Sequence, residues 1–426
     1  MTGTPAGPWA TGDSGPGAAR RTGTASAVLQ AVLVTTTGVL PAFLVGALAV
    51  QIRDDLQIGP AEIGIAAATL FTVSGVLARP LGRLVQRIGA GTGIAISATC
   101  AVLALGGIAA TGSFALLIAA MVAGGLANAM AQPSANLRIS RAVSSSRLGL
   151  AFGIKQSAIP AATLLGGLAV PGIALVFGWR WAFIIGASLA AVIAVWSAVN
   201  GRGPRVDRLT SGGNDDGGQK DRGTPLGGLL MVTIGGGLAA AAATSLGVFL
   251  VDSAVQTGIE PGTAGLLFAA AAGSGLLIRI GLGAAMDRHP TRSPYVLIAN
   301  LLFGGTAGFL LLTIGTPLSV AAGAWLAYAA GWTWTGLLHF AVVRDNRASA
   351  ASATGILQTG LSFGSAAGPL LFGLLVEATS YRTGWFTAAG TALAAGIIFR
   401  IGRIMIRRSR GQPTGYKANA RAKENR

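Results

Sequence analysis

Charge is scarce in this sequence. Only 11% of its 426 residues are charged, and 14 Asp and Glu stand against 31 Lys and Arg. A soluble domain carries about a quarter charged residues, so a water-facing surface of ordinary extent is excluded. The lone cysteine, Cys100, rules out an internal disulfide framework and reads as a small packing residue. His289 and His339 are the only histidines, each isolated in sequence, and no glycine loop leads into Lys and then Ser or Thr. Metal clusters and nucleotide loops are therefore not expected, and neither a cofactor nor an enzymatic reaction is implied.

Apolar residues fill the space that charge leaves. They make up 52% of the chain, mean hydropathy is +0.64, and the 65 glycines allow helices to approach closely within a bilayer. A spanning helix needs about 20 mostly apolar residues. Such segments fall near 26–50, 62–81, 92–111, 114–136, 150–177 and 181–199. Six more follow near 226–251, 263–284, 295–313, 317–341, 353–375 and 385–402. The expected fold is an all-α polytopic membrane protein whose twelve transmembrane helices form two pseudo-symmetric six-helix bundles, 26–199 and 226–402. The Gly-, Ala- and Pro-rich residues 1–25 read as a disordered tail, 200–225 as a flexible linker, and 403–426 as a basic tail. The apolar run at 26–50 is longer than a signal-peptide core and reads as a retained helix.

The net charge of +17 first suggests nucleic acid, and its distribution removes that reading. With both termini in the cytoplasm, Arg53, Arg180 and Arg382 fall in external loops and Arg79, Lys155 and Arg279 fall within spans. Every other Lys and Arg falls in a cytoplasmic segment. This is the positive-inside pattern of a multi-pass protein of the cytoplasmic membrane, and the surplus charge suits anionic lipid.

The halves resemble each other at an offset of about 201 residues: "IGPAEIG" answers "IEPGTAG", "GRLVQRIG" answers "GAAMDRHP", and "GIKQS" answers "GILQT". Parallel six-helix repeats place a site at their interface near the midplane. The loop pattern of Gly, three residues, an acid or amide and then Arg resembles the signature of the major facilitator superfamily. Gly82, Gln86, Arg87 and Gly89 carry it in the first half, with Arg83 inside the motif, and Gly283, Asp287 and Arg288 carry it in the second. The resemblance implies that these loops latch the cytoplasmic ends of the bundles. Gln86 stands where an Asp is usual, which weakens the first latch. It also implies that the first, fourth, seventh and tenth helices face a central cavity and that every third helix lies outside. A weaker similarity links "LARPLGRLVQRIG" and "IRIGLGAAMDR" to the nitrate and nitrite porters, with cyanate-type carriers as further relatives. In the porters an arginine at the place of Arg79 binds the anion.

Polar residues inside a bilayer are costly, and their positions carry the functional reading. Asn128, Gln132 and Asn136 repeat every four residues on one face of the fourth span, and Trp332, Thr335 and His339 share a face of the tenth with Trp334 beside it. Gln156 begins a stripe through Pro160, Thr163 and Gly167, and Gln358 begins the matching stripe through Ser362, Ser365 and Pro369. Arg79 and Arg279 occupy nearly equivalent positions, about 10 to 12 Å from their cytoplasmic loops, and facing arginines can clamp one small anion. Lys155 adds positive charge. Snorkelling to the interface is the plain alternative for all three, and a helix-interface bond for the glutamines. None of the 14 acids falls near the middle of a span, which leaves His339 as the central titratable group for a coupling proton, or as a structural histidine. The reading is a monomeric alternating-access carrier for a small inorganic or organic anion. An exporter of apolar drugs, with Trp332 and Trp334 as an aromatic wall, and a non-transporting membrane sensor on a carrier scaffold are its rivals.

Overall fold

The structure is a computed structural model that describes residues 16–144, 148–200, 224, 226–288, 293–346 and 350–411. Every regular element among them is helical. The first half comprises α1 (Pro16–Ala47), α2 (Ala49–Leu56), α3 (Pro60–Ile88), α4 (Ala90–Ala109), α5 (Phe114–Ala142), α6 (Leu148–Gln156), α7 (Ala158–Ala169), α8 (Leu175–Phe177) and α9 (Trp179–Asn200). The second comprises α10 (Leu226–Gln256), α11 (Pro261–Arg288), α12 (Pro294–Leu312), α13 (Pro317–Leu326), α14 (Trp334–Asp345), α15 (Ala350–Ala378) and α16 (Tyr381–Gly411).

Eleven helical segments are long and apolar enough to cross a membrane, with α6 to α8 forming one of them. The tenth span is the exception. A wide π turn at Ala327–Gly331 and a break at Trp332 and Thr333 divide it into α13 and α14. The fifth is divided as well, by a non-helical Ser157 and a π turn at Val170–Ala174. Pro160 explains the first interruption: it has no N–H to give the Gln156 carbonyl four residues back. The chain ends also differ from expectation. Helix α1 begins at Pro16, inside the stretch expected as a tail, and α16 runs to Gly411, past the start of the expected basic tail. The linker, apart from its edges, and residues 1–15 and 412–426 lie outside the described residues.

Burial separates central from peripheral helices. In the most apolar stretches of α1 and α10, 78% and 83% of residues are buried, against 33% in α9, whose Val192, Val195 and Val199 face outward. The halves meet where α3 packs on α15, α7 on α11 and α1 on α10.

One end of this seam is sealed. A Cβ on Gly46 of α1 would come within 2.6 Å of Val248 Cα in α10, and one on Gly373 of α15 within 2.6 Å of the Pro60 carbonyl oxygen. Only glycine admits such an approach. Polar bonds close the same end: Arg53 Nη1 lies 2.6 Å from Asp252 Oδ2, which also accepts from the Tyr381 hydroxyl. The Ala61 N–H donates to Glu377 Oε2 at 2.9 Å, so a carboxylate from one half receives the opening turn of α3 in the other.

Candidate functional site

Between the halves lies a cavity of about 80 Å³. The first, second, fourth and fifth spans contribute Phe43, Phe71, Asn128, Gln132 and Gln156 to its wall. The seventh, tenth and eleventh contribute Thr244, Trp332, Trp334, Thr335, His339, Gln358, Ser362 and Ser365. Among the described residues, none lining it comes from the third, sixth, ninth or twelfth span, the helices that the family resemblance places outside.

The paired glutamines meet at the histidine. His339 Nδ1 lies 2.9 Å from the Thr335 carbonyl oxygen and 3.2 Å from Gln156 Nε2, and Gln358 lines the same cavity beside the ring. A protonated Nδ1 donates to the carbonyl, whereas an unprotonated one accepts from the amide, so the two contacts alternate with tautomer. The internal repeat thus brings one amide from each half beside a single imidazole.

Other polar atoms at the wall have no protein partner. Asn128 donates from Nδ2 to Ser74 Oγ at 2.9 Å, while its Oδ1 and the Thr335 Oγ1 are buried without a hydrogen bond. Buried polar atoms are costly when left unmet. An aromatic surface adjoins them: Phe43 and Trp332 pack edge to face at 5.5 Å, and Phe71 lies 6.4 Å from Phe43.

The expected cations are arranged differently from a clamp. Arg79 is exposed and absent from the cavity wall. Arg279 is 3% exposed and is engaged with backbone: Nη1 donates to the Gln156 carbonyl at 2.6 Å and Nη2 to the Trp332 carbonyl. The guanidiniums do not converge here, since Arg279 is engaged with two backbone carbonyls and Arg79 is exposed away from the cavity wall. Lys155 is 2% exposed and donates to Gln132 Oε1. Neither Lys155 nor Arg279 is among the salt bridges of the described residues, yet both lie close enough to act electrostatically on His339.

Asn136 is exposed, one turn beyond the cavity. Of the loop motif, Arg83, Gln86 and Arg87 are exposed, Gly89 ends α3 with φ +89°, Gly82 has Pro133 within van der Waals range and Gly283 borders open space. The side chains of Asp287 and Arg288 lie outside the described residues, as does His289. Sequence reasoning missed Ser74, Phe43, Phe71 and Thr244, which carried no signal beyond ordinary helix composition.

Two helical bundles around a midplane cavity, with bare outer helices, define a polytopic membrane carrier. The Major Facilitator Superfamily profile matches residues 31–341 and 232–424, and the chain belongs to that family: it is a membrane transporter, not an enzyme. Among solved structures it is similar to a bacterial homologue of the human lysosomal transporter Spinster in an inward-facing, unoccupied conformation. That match has a TM-score of 0.73 at 16% identity and covers 92% of this chain and 99% of the other. The occupied inward-facing form of the homologue matches with a TM-score of 0.67 at 17% identity and the same coverage. At these identities the likeness concerns the fold. No curated protein sequence matches. The resemblance to nitrate, nitrite and cyanate carriers is not confirmed by these comparisons.

Proposed function

We propose that this carrier moves a small organic anion across the cytoplasmic membrane by alternating access. The observation that carries the reading is a pair of buried cations, Lys155 and Arg279, without an acidic partner among the described residues and behind a wall of neutral polar groups. An unpaired buried charge is costly, and an anion entering the cavity offsets that cost. The cations supply field, while Gln156, Gln358 and His339 supply direction.

The wall narrows the ligand further. Phe43, Phe71 and Trp332 favour an apolar body, which argues for an organic rather than an inorganic anion, and the unmet Asn128 Oδ1 calls for a donor on the ligand. About 80 Å³ suits a small solute, since drug-sized ligands occupy pockets of about 300 to 1,000 Å³. The Arg79 and Arg279 clamp has no part in this reading.

The positive-inside pattern supports an external position for the sealed end and cytoplasmic termini, so the end closed in this conformation is the outer one. Both similar Spinster-homologue structures are inward-facing. His339 is the one titratable group on the cavity wall and the candidate carrier of a coupling proton; the transporting unit is the monomer.

Purified protein in proteoliposomes tests the proposal with a panel of small carboxylates, inorganic anions and neutral apolar solutes. Small organic anions are expected to raise the unfolding temperature and to exchange across the membrane. Stabilisation by neutral solutes with no response to any anion would overturn the reading.

A further inference from the structure

We infer that Arg279 is a cross-bundle strut whose docking point is the carbonyl that Pro160 leaves free, and that this strut supports the conformation closed at the sealed end. The inference does not depend on which substrate the cavity takes.

The argument starts from backbone accounting. In a regular helix the N–H of residue 160 would bond the carbonyl of residue 156, and proline has no N–H. On either side the ladder holds: the Ser157 N–H bonds Gly153 four residues back, shared with Ile154, and Ala161 bonds Ser157, so the bond that Pro160 cannot make is the one that is missing. The Gln156 carbonyl therefore lacks its intrahelical donor inside a membrane-spanning segment, at a buried residue. Arg279 Nη1, from α11 in the other half, meets it at 2.6 Å.

The other terminal nitrogen takes the corresponding defect in its own half. Nη2 donates to the Trp332 carbonyl, at the break between α13 and α14. One fixed, planar donor group thus joins two interrupted helices and crosses the seam, a geometry suited to guanidinium and not to an ammonium point charge. Gln156 and Trp332 each present a side chain to the cavity. Arg279 is accordingly a positioning residue: it acts on the site through the backbone of the residues that line it.

The repeat shows that the arrangement is specific to this side. The second-half counterpart of Pro160 is Ser362, which retains an N–H, and α15 runs unbroken from Ala350 to Ala378 past Gln358. Arg79, one place out of register with Arg279 at the 201-residue offset, is exposed. The proline and the buried arginine across the seam thus occur together on one side of the repeat, while the other side has Ser362 in an unbroken helix.

The test measures conformation without substrate. In a Cys100→Ser background, spin labels at Asp54→Cys and Thr383→Cys report the distance between the halves at the sealed end. Arg279→Gln removes the strut, and Pro160→Ala supplies an N–H that competes for the Gln156 carbonyl without changing charge. Charge-assisted hydrogen bonds are worth enough that the open-to-closed ratio is expected to rise roughly tenfold in Arg279→Gln. Pro160→Ala should move it less in the same direction, and Arg279→Lys should fall between wild type and Arg279→Gln. In transport, Pro160→Ala should change the maximal rate more than the KM. Unchanged distances in Pro160→Ala and Arg279→Lys would overturn the proposal even if Arg279→Gln fails to fold. So would a large KM effect of Arg279→Lys at an unchanged distance distribution, which would place the guanidinium on the substrate instead.

Discussion

An ammonium at 2% exposure with one amide oxygen as its recorded partner is an unfavourable object, and Lys155 is retained in that condition. Structural reasons for keeping it are weak, since an apolar side chain of similar length fills the same space without a desolvation cost. Lys155→Met is therefore expected to raise stability by about 1 to 3 kcal/mol, seen as a higher unfolding temperature in detergent, while weakening anion affinity roughly tenfold. A loss of stability together with unchanged affinity would reverse the assignment of Lys155 to the field of the cavity. Asn128 provides the contrasting case. Its Nδ2 is already bonded to Ser74 and its Oδ1 is buried and unmet, so Asn128→Leu removes an orphaned acceptor and a satisfied donor together. Little change in folding is expected, with a clear rise in KM for ligands that carry a donor and none for ligands that lack one.

At the scale of elements, the two interrupted spans show what sequence makes visible. Twelve spans, the repeat and the separation of polar inner helices from bare outer ones all follow from hydropathy and from the cost of polar groups in lipid, and these were legible. The convergence of Gln156 and Gln358 was half legible: the repeat announced a symmetric pair, and only the structure brings His339 between them. Arg79 and Arg279 show the opposite. Nearly equivalent sequence positions suggested equivalent roles, yet the two are one place out of register at the 201-residue offset, about 100° around a helix, and Pro160 frees an acceptor for Arg279 that Ser362 does not provide. That asymmetry was present in the sequence, but locating the partner of a free carbonyl requires knowing what packs against it. Aromatic wall residues such as Phe43 were illegible for a simpler reason. A phenylalanine in an apolar helix has the same local signature whether it meets lipid, a neighbouring helix or a cavity.

The whole molecule has to open the end that this structure closes, and the bonds there are arranged so that few of them hold the seam. Asp252 collects Arg53 from the other half and Tyr381 from its own, at 1% exposure. Glu377 reaches across to the Ala61 N–H, where the macrodipole of α3 favours a negative group. Two carboxylates of the second half thus grip two elements of the first. Glycines let the backbones touch, so the seam combines close apolar packing with charge-assisted bonds at its closed end. Removing the charge of either carboxylate should then leave each bundle folded and weaken only their union. Asp252→Asn keeps the shape and loses the ion pair with Arg53, and Glu377→Gln leaves the Ala61 N–H a neutral acceptor; each should increase labelling of a cysteine placed at Val248 on the closed seam several-fold. Gly46→Leu should act in the same direction more strongly, because a side chain there cannot coexist with Val248 at 2.6 Å. Transport should fall in all three, with the unfolding temperature of the carboxylate variants close to wild type, since the bonds lost lie between bundles and not within them. Equal labelling in wild type and in all three variants would mean that the seam is held elsewhere, and that the cation-rich cavity, and not its closed end, sets the balance between the two faces of the carrier.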